Sequence, residues 1–267
     1  MNYVVIKCGG SVFNALPDSF YKNIVDIQET GEWKPIIVHG GGPLISSLLD
    51  QMGVETTFVN GLRVTTDEVL DVVEMALSGS MNKQIVRSLM KNNGMAYGMS
   101  GVDGALLRAT PTEKAKDLGY VGEVSEVNTS IIEKITDQGF IPVISPVGLD
   151  GNGQRFNINA DMAASSIAQA LGAKLCFISD IPGIYVEEDG KKTTLHRVGK
   201  EKIEQLIETK VIQGGMIPKV QSALKALAHR VPEVSIVNGL ETDSLVDFMN
   251  GEQVGTRILL DTEVHHA

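Results

Sequence analysis

PIIVHGGGPL, residues 35–44, passes from an apolar run through three successive glycines to a proline that opens a helical pattern. Residues 36–39 read as a strand buried on both faces. Pro43 suits the first turn of a helix, where a missing N–H costs nothing. Three glycines in a row are more than a turn needs. Gly41 and Gly42, at the entry to a helix, offer unpaired N–H donors and the positive end of a dipole, which together hold an anion. Residues 4–13, VVIKCGGSVF, repeat the arrangement. There the apolar run ends in Lys7, and Gly9 and Gly10 follow. A cation and a backbone stripped of side chains thus meet at the carboxyl end of a strand, the end that faces the ligand crevice in open α/β sheets. The bland alternative is a tight strand-to-helix turn beside an exposed lysine. The first turn lacks the P-loop spacing and the second lacks the G-x-G-x-x-G dinucleotide spacing.

Outward from these turns, short β-branched runs alternate with helical patterns. Strands are expected at 3–7, 36–39, 96–99, 141–145, 174–179 and 234–237, and helices at 18–30, 43–52, 66–77, 81–91, 130–138, 161–171, 200–208 and 217–228. The alternation predicts an α/β fold: an open, mainly parallel sheet sandwiched by helices. Residues 105–127 break it and read as an antiparallel hairpin, either a lid over a site or an edge decoration. A boundary near Gly172 would divide an N-terminal lobe (1–172), holding both glycine turns, from a C-terminal lobe (173–267). Thr65 and Glu68 stand in capping-box positions ahead of the 66–77 helix. That helix has an apolar surface wider than one core stripe, which suits a partner subunit or deep burial equally.

Composition limits the function. The chain has 267 residues, 43% hydrophobic and 21% charged, as in an enzyme with a sizeable core. Its net charge of −10 argues against nucleic acid and requires any anionic ligand to be held by local donors. Cys8 and Cys176 make neither a disulfide framework nor a metal cluster, so a reducing compartment is expected. The first strand begins almost at Met1, leaving no room for a signal peptide. No apolar run is long enough for a membrane span, and a cytoplasmic location is expected.

Further candidates lie in four short stretches. NGLRVT (60–65) places Arg63 in a loop, where its guanidinium is either a carboxylate fork or simply solvated. FNINAD (156–161) carries Asn157, Asn159 and Asp161 at alternating positions, which in an extended chain face one way. Asp161 reads equally as a helix N-cap. SDIPGIY (179–185) supplies Ser179, Asp180 and Gly183 after a parallel strand, placed to grip a nucleoside. GGMIPKVQSAL (214–224) puts Lys219 near a helix start, where a cation opposes the dipole and calls for an anionic partner. Lys7 and Lys219 would converge on one phosphate. His39 reads as a satisfied strand-end residue and Cys8 as a passive one.

Together IKCGGSV, VHGGGP, NGLRVT, NINAD, SDIPGI and GGMIPKV resemble the amino acid kinase family, in order and over nearly the whole chain. The likeness is strongest to the branch that acts on N-acetyl-L-glutamate in arginine biosynthesis, with NGLRVT and N-x-N-A-D its specific elements. The resemblance implies that ATP, with Mg2+ held mainly by its phosphates, donates its γ-phosphoryl group to the side-chain carboxylate of N-acetyl-L-glutamate. It implies catalytic roles for Lys7, Lys219 and Asp161, with Asp161 orienting both lysines. It places Gly41, Gly42, Arg63, Asn157 and Asn159 at the substrate, and Gly9, Gly10, Ser179, Asp180 and Gly183 at the nucleotide, with no protein ligand to the metal.

Arginine-inhibited hexameric members carry an extra N-terminal helix. This chain begins at its first strand, so a homodimer insensitive to arginine, built on the 66–77 helix, is expected. The rival readings are other family members, such as glutamate 5-kinase, aspartokinase, carbamate kinase or UMP kinase, and a catalytically silent binding protein on the same fold. A nicotinamide enzyme is disfavoured by the absent fingerprint.

Overall fold

Alternation within each strand decides the layering. In the computed structural model Val4, Ile6 and Cys8 enter one hydrophobic cluster, while Val5 enters the other on the opposite face of the sheet. The same division holds for Ile36 and Val38 against Ile37, and for Leu175 and Phe177 against Cys176 and Ile178. A period of two with both faces apolar is what a sheet covered on both sides requires. The structure describes residues 2–10, 12–59, 61–113, 115–188, 191–213 and 216–259. Ser11, Asn60, Gly214 and Gly215 of the motifs above lie outside the described residues.

The central sheet has eight strands. In spatial order they are Arg197–Gly199, Thr256–Leu259, Val234–Asn238, Lys174–Ser179, Asn2–Cys8, Trp33–His39, Ile141–Ser145 and Ala96–Ser100. The six from Val234–Asn238 onward are mutually parallel, and Thr256–Leu259 runs antiparallel to its neighbour. All six expected strands are present in this parallel set. The strands Arg197–Gly199 and Thr256–Leu259, and a separate hairpin, Tyr185–Glu188 with Lys191–Thr194, have no counterpart among the expectations. The sheet runs without a break across the boundary expected near Gly172. Gly172 itself ends the Ala160–Leu171 helix in the left-handed conformation, φ 60°.

The hairpin expected over 105–127 is present as Leu107–Pro111 against Val121–Val127, with a short helix, Ala115–Leu118, in its turn. It does not stand free. Val147–Leu149 and Arg155–Ile158 close it into a four-stranded barrel. The strand carrying Asn157 is thereby locked to the hairpin, with Asn157 opposite Val121.

The 66–77 expectation needs two corrections. The helix Asp67–Glu74 runs on through a π-helical turn, Met75–Met81, into Asn82–Lys91. Its N-cap is Thr66, whose Oγ1 accepts from the Val69 N–H at 3.3 Å, rather than Thr65. Thr65 is fully buried and makes other bonds, so no Thr65–Glu68 box forms. The wide apolar surface is consumed inside the chain. Val69, Leu70, Val72, Val73, Ala76 and Leu77 are all buried, and of the apolar residues 69–77 only Met75 is strongly exposed. Among the described residues no helix is long and apolar enough to cross a membrane.

Candidate active site

The two glycine turns pack against each other. Asn2–Cys8 and Trp33–His39 are adjacent parallel strands in register, Cys8 opposite His39, so both chains leave the sheet side by side. The Gly40 N–H donates to the Cys8 carbonyl at 3.1 Å. A methyl group at Gly10 would sit 2.9 Å from the Gly41 nitrogen and 3.0 Å from the Gly42 nitrogen, so only glycine lets the backbones approach this closely. Gly41 is the N-cap of the helix Gly42–Gln51, and no side chain caps its N–H groups. The first donors of that helix are left to a ligand or solvent.

Lys7 rises beside this cradle. Its Nζ lies 2.6 Å from Asp161 Oδ1, with side chains only 16% and 22% exposed. Asp161 is available because it does not cap its helix. The cap is Asn159, whose Oδ1 accepts from the Asp161 N–H at 2.9 Å and the Met162 N–H at 3.2 Å. The three polar residues of FNINAD therefore do not share one job. The helix starts at Ala160, which ends the extended alternation before Asp161. Asn157 stays on the strand and donates to Thr65 Oγ1 at 3.1 Å.

Lys219 reaches the same edge of the sheet from the helix Met216–Ala228. Its Nζ donates to Ser179 Oγ at 2.8 Å and lies 3.6 Å from Asp180 Oδ1. Ser179 ends the strand that pairs with Asn2–Cys8, where Lys7 stands opposite Phe177. Lys7, on its strand, and Lys219, reaching from its helix to Ser179, thus stand at the carboxyl ends of two adjacent central strands. Asp161 does not hold both, as the resemblance implied. It contacts Lys7 and, at 3.5 Å, the Ser222 hydroxyl, while Lys219 is kept by Ser179 and Asp180.

Arg63 is 7% exposed. Its Nη2 donates to the Gly42 carbonyl at 3.2 Å and to Ser46 Oγ at 2.8 Å, and the guanidinium stacks over the Phe58 ring at 4.7 Å. Its Nη1 is buried with no hydrogen-bond partner. A buried cationic donor without an acceptor is costly unless a ligand supplies one. Burial lowers the Arg63 pKa, and the group remains charged at neutral pH.

Two cavities flank these residues. One of about 810 Å³ is lined by Asp180, Gly183, Tyr185, Ile212, Met216 and Lys219 among others, a size and mixed lining suited to a nucleotide. Sequence reading found Asp180, Gly183 and Lys219. It missed Tyr185, Ile212 and Met216, which only the fold brings round. The other cavity, about 330 Å³, lies between the hairpin (Thr112, Glu123) and the helices carrying Asn159, Ser222 and Lys225. Thr65, Ser46 and Ser222 were also missed. Serine and threonine are too common to single out without their partners.

The candidates for proton or covalent chemistry are inert. Burial holds Cys8 at a pKa of about 12, outweighing the opposing effect of Lys7. His39 is fully buried. Its Nδ1 lies 3.1 Å from the Gly40 carbonyl and its Nε2 3.3 Å from the Asn82 amide nitrogen, so the network assigns the proton to Nδ1. Burial lowers its pKa from 6.5 to about 4. The unfolded ring therefore takes up a proton before the folded one does. Stability that is complete above pH 6.5 is lost as pH falls toward about 4, by roughly 3 kcal/mol. Urea midpoints at about pH 7 and pH 4.5 should separate less for His39→Gln than for the wild type. Parallel losses in the two proteins would exclude the imidazole as their source.

Comparison with known proteins places this geometry. Residues 2–238 match the model of the amino acid kinase family. The acetylglutamate kinase of Oceanobacillus iheyensis is 47% identical over 266 residues, covering 100% of both chains. That of Geobacillus kaustophilus is 49% identical over 263 residues, covering 98% of each. The chain belongs to the amino acid kinase family. Within the family it stands on the acetylglutamate kinase branch. A solved structure from Streptococcus mutans UA159 superposes with a TM-score of 0.80 at 31% identity, covering 97% of this chain and 99% of the other. The family fold and the open parallel sheet expected from the sequence are both borne out.

Proposed function

We propose that this chain transfers the γ-phosphoryl group of ATP to the side-chain carboxylate of N-acetyl-L-glutamate, an early step of arginine biosynthesis. The observation that carries the reading is Arg63: a buried guanidinium with one unpartnered nitrogen, bonded to the carbonyl of Gly42 in the phosphate-type cradle. It is a carboxylate receptor placed beside an anion site. A carboxylate oxygen of the acceptor attacks the γ-phosphorus, the bond to the β,γ-bridging oxygen breaks, and ADP leaves. The nucleophile is already ionised, so no general base is required, in keeping with an inert His39 and Cys8.

Catalysis is then alignment and charge neutralisation. Lys7 and Lys219 neutralise the moving phosphoryl group from the acceptor and nucleotide sides. Asp161 holds Lys7 upright, and Ser179 with Asp180 holds Lys219. The N–H groups around Gly9, Gly10, Gly41 and Gly42 line the phosphate path. Arg63, Asn157 and the free amide nitrogen of Asn159 address the acceptor, and Asp180 and Gly183 line the nucleoside cavity. Bound Mg2+ supplies further neutralisation. Such an ion would be held mainly by the nucleotide's phosphate oxygens and by water, as Mg2+ commonly is in phosphoryl-transfer sites.

In this reading residues 1–172 form the acceptor lobe and 173–267 the nucleotide lobe of a cytoplasmic homodimer. The sequence-level reason for dimerisation, an unburied apolar helix face, is gone. What supports a dimer is exposed Met52 and Met75 lining one shallow groove. A monomer mass by light scattering would remove the dimer from the proposal.

ADP release measured against a panel of N-acetylglutamate, glutamate, aspartate, carbamate and UMP tests the function. N-acetyl-L-glutamate should give the highest kcat/KM. Preference for another acceptor, or no turnover with any, overturns it.

A further inference from the structure

Thr65 has no functional assignment above, yet it occupies a junction. Its side chain is fully buried. The hydroxyl donates to the Arg63 carbonyl at 2.9 Å and accepts from the Asn157 amide nitrogen at 3.1 Å. A hydroxyl has one proton to give, so the two contacts fix each other's direction: out to Arg63, in from Asn157. The backbone of Thr65 is equally committed. Its N–H donates to the Leu118 carbonyl at 2.9 Å, and its carbonyl accepts from the Tyr120 N–H at 2.8 Å. The Tyr120 carbonyl in turn accepts from the Asn157 N–H at 2.9 Å. Gly119, between them at φ +67°, has no room for a Cβ against the Thr65 carbonyl. Arg63, which lies not in the loop expected from the sequence but on the short strand Leu62–Arg63 paired with Phe58–Val59, the Asn157 strand and the end of the hairpin thus meet at one residue.

We propose that Thr65 is a positioning residue for acceptor binding, an inference that rests on the acceptor roles given above to Arg63 and Asn157. One N–H of the Asn157 amide is spent on Thr65. The amide's rotation is thereby restrained, and its oxygen and second N–H are left for the acceptor. The bond to the Arg63 carbonyl restrains the short strand that carries the guanidinium. Thr65 touches neither substrate. It sets the angle between the two groups that do, and it ties that angle to the position of the hairpin.

The test uses whichever acceptor the wild type turns over best in the panel, so rejection of N-acetyl-L-glutamate and failure of this inference are separate results. Thr65→Val keeps the shape and removes the hydroxyl. It should raise the acceptor KM about tenfold while leaving the ATP KM within about twofold. Thr65→Ser, which keeps the hydroxyl, should restore most of the loss. Adding Thr65→Val to Asn157→Ala should cost less than it costs alone, because the group it orients is gone. The inference is overturned by an unchanged acceptor KM in Thr65→Val, by equal rises for both substrates, by a serine variant as impaired as the valine one, or by additive losses in the double variant. If the valine protein does not fold, Thr65→Ala, which also removes the hydroxyl, takes its place, and the same outcomes support or overturn the inference.

Discussion

Lys7→Ala will lower kcat by about 10²–10³-fold while leaving the acceptor KM within a few-fold of the wild type. The expectation combines two effects. The first is loss of a cation at the point where charge moves, between the two glycine turns. The second is what remains: Asp161, 22% exposed, loses the ammonium group 2.6 Å away and becomes an unpaired carboxylate facing the phosphate path. That charge repels the nucleotide phosphates as well as failing to help. Lys7→Ala combined with Asp161→Asn should therefore turn over faster than Lys7→Ala alone. Steady-state rates with both substrates saturating, and a thermal scan to show that the fold survives, decide the matter. A kcat within tenfold of the wild type would remove Lys7 from the catalytic machinery and leave the pair as a structural tie between the first strand and the Ala160–Leu171 helix.

Arg63→Lys will raise the acceptor KM by about 100-fold with little change in the ATP KM. An ammonium group keeps the charge but not the planar fork. At this site one nitrogen is occupied by the Gly42 carbonyl and the Ser46 hydroxyl while another stays free, an arrangement that needs two nitrogens held in one plane. The lysine variant also gives up the stacking over Phe58. Equal losses for acceptor and nucleotide would instead mean that Arg63 supports the Gly42–Gln51 helix, and the acceptor would need another receptor.

Lys7 and Arg63 differ in how visible they were. Lys7 stood out because a charge ends a buried apolar run, a conflict between neighbours in sequence. Arg63 did not, since a loop arginine is usually solvated. Its burial depends on Gly42, Ser46 and Phe58 closing around it. Asp161 was legible as a polar residue at a helix start, yet its partner was assigned too generously. It serves Lys7, while Lys219 is held through the strand end at Ser179.

What the chain declares by itself is everything that neighbouring residues can enforce: the period-two apolar runs, the helical repeats between them, and glycines where two backbones must nearly touch. These rest on local sterics and solvent exclusion, so the parallel strands and the site's glycine turns could be placed before any coordinates. Partner choice belongs to the tertiary structure. The Lys7–Asp161 and Asn157–Thr65 contacts join residues far apart in sequence, and the broad apolar face of the Asp67–Glu74 helix turned inward to the core. Hydrogen bonds and ion pairs are short-ranged and directional, so which donor meets which acceptor is settled only when the sheet and its helices have set their distances.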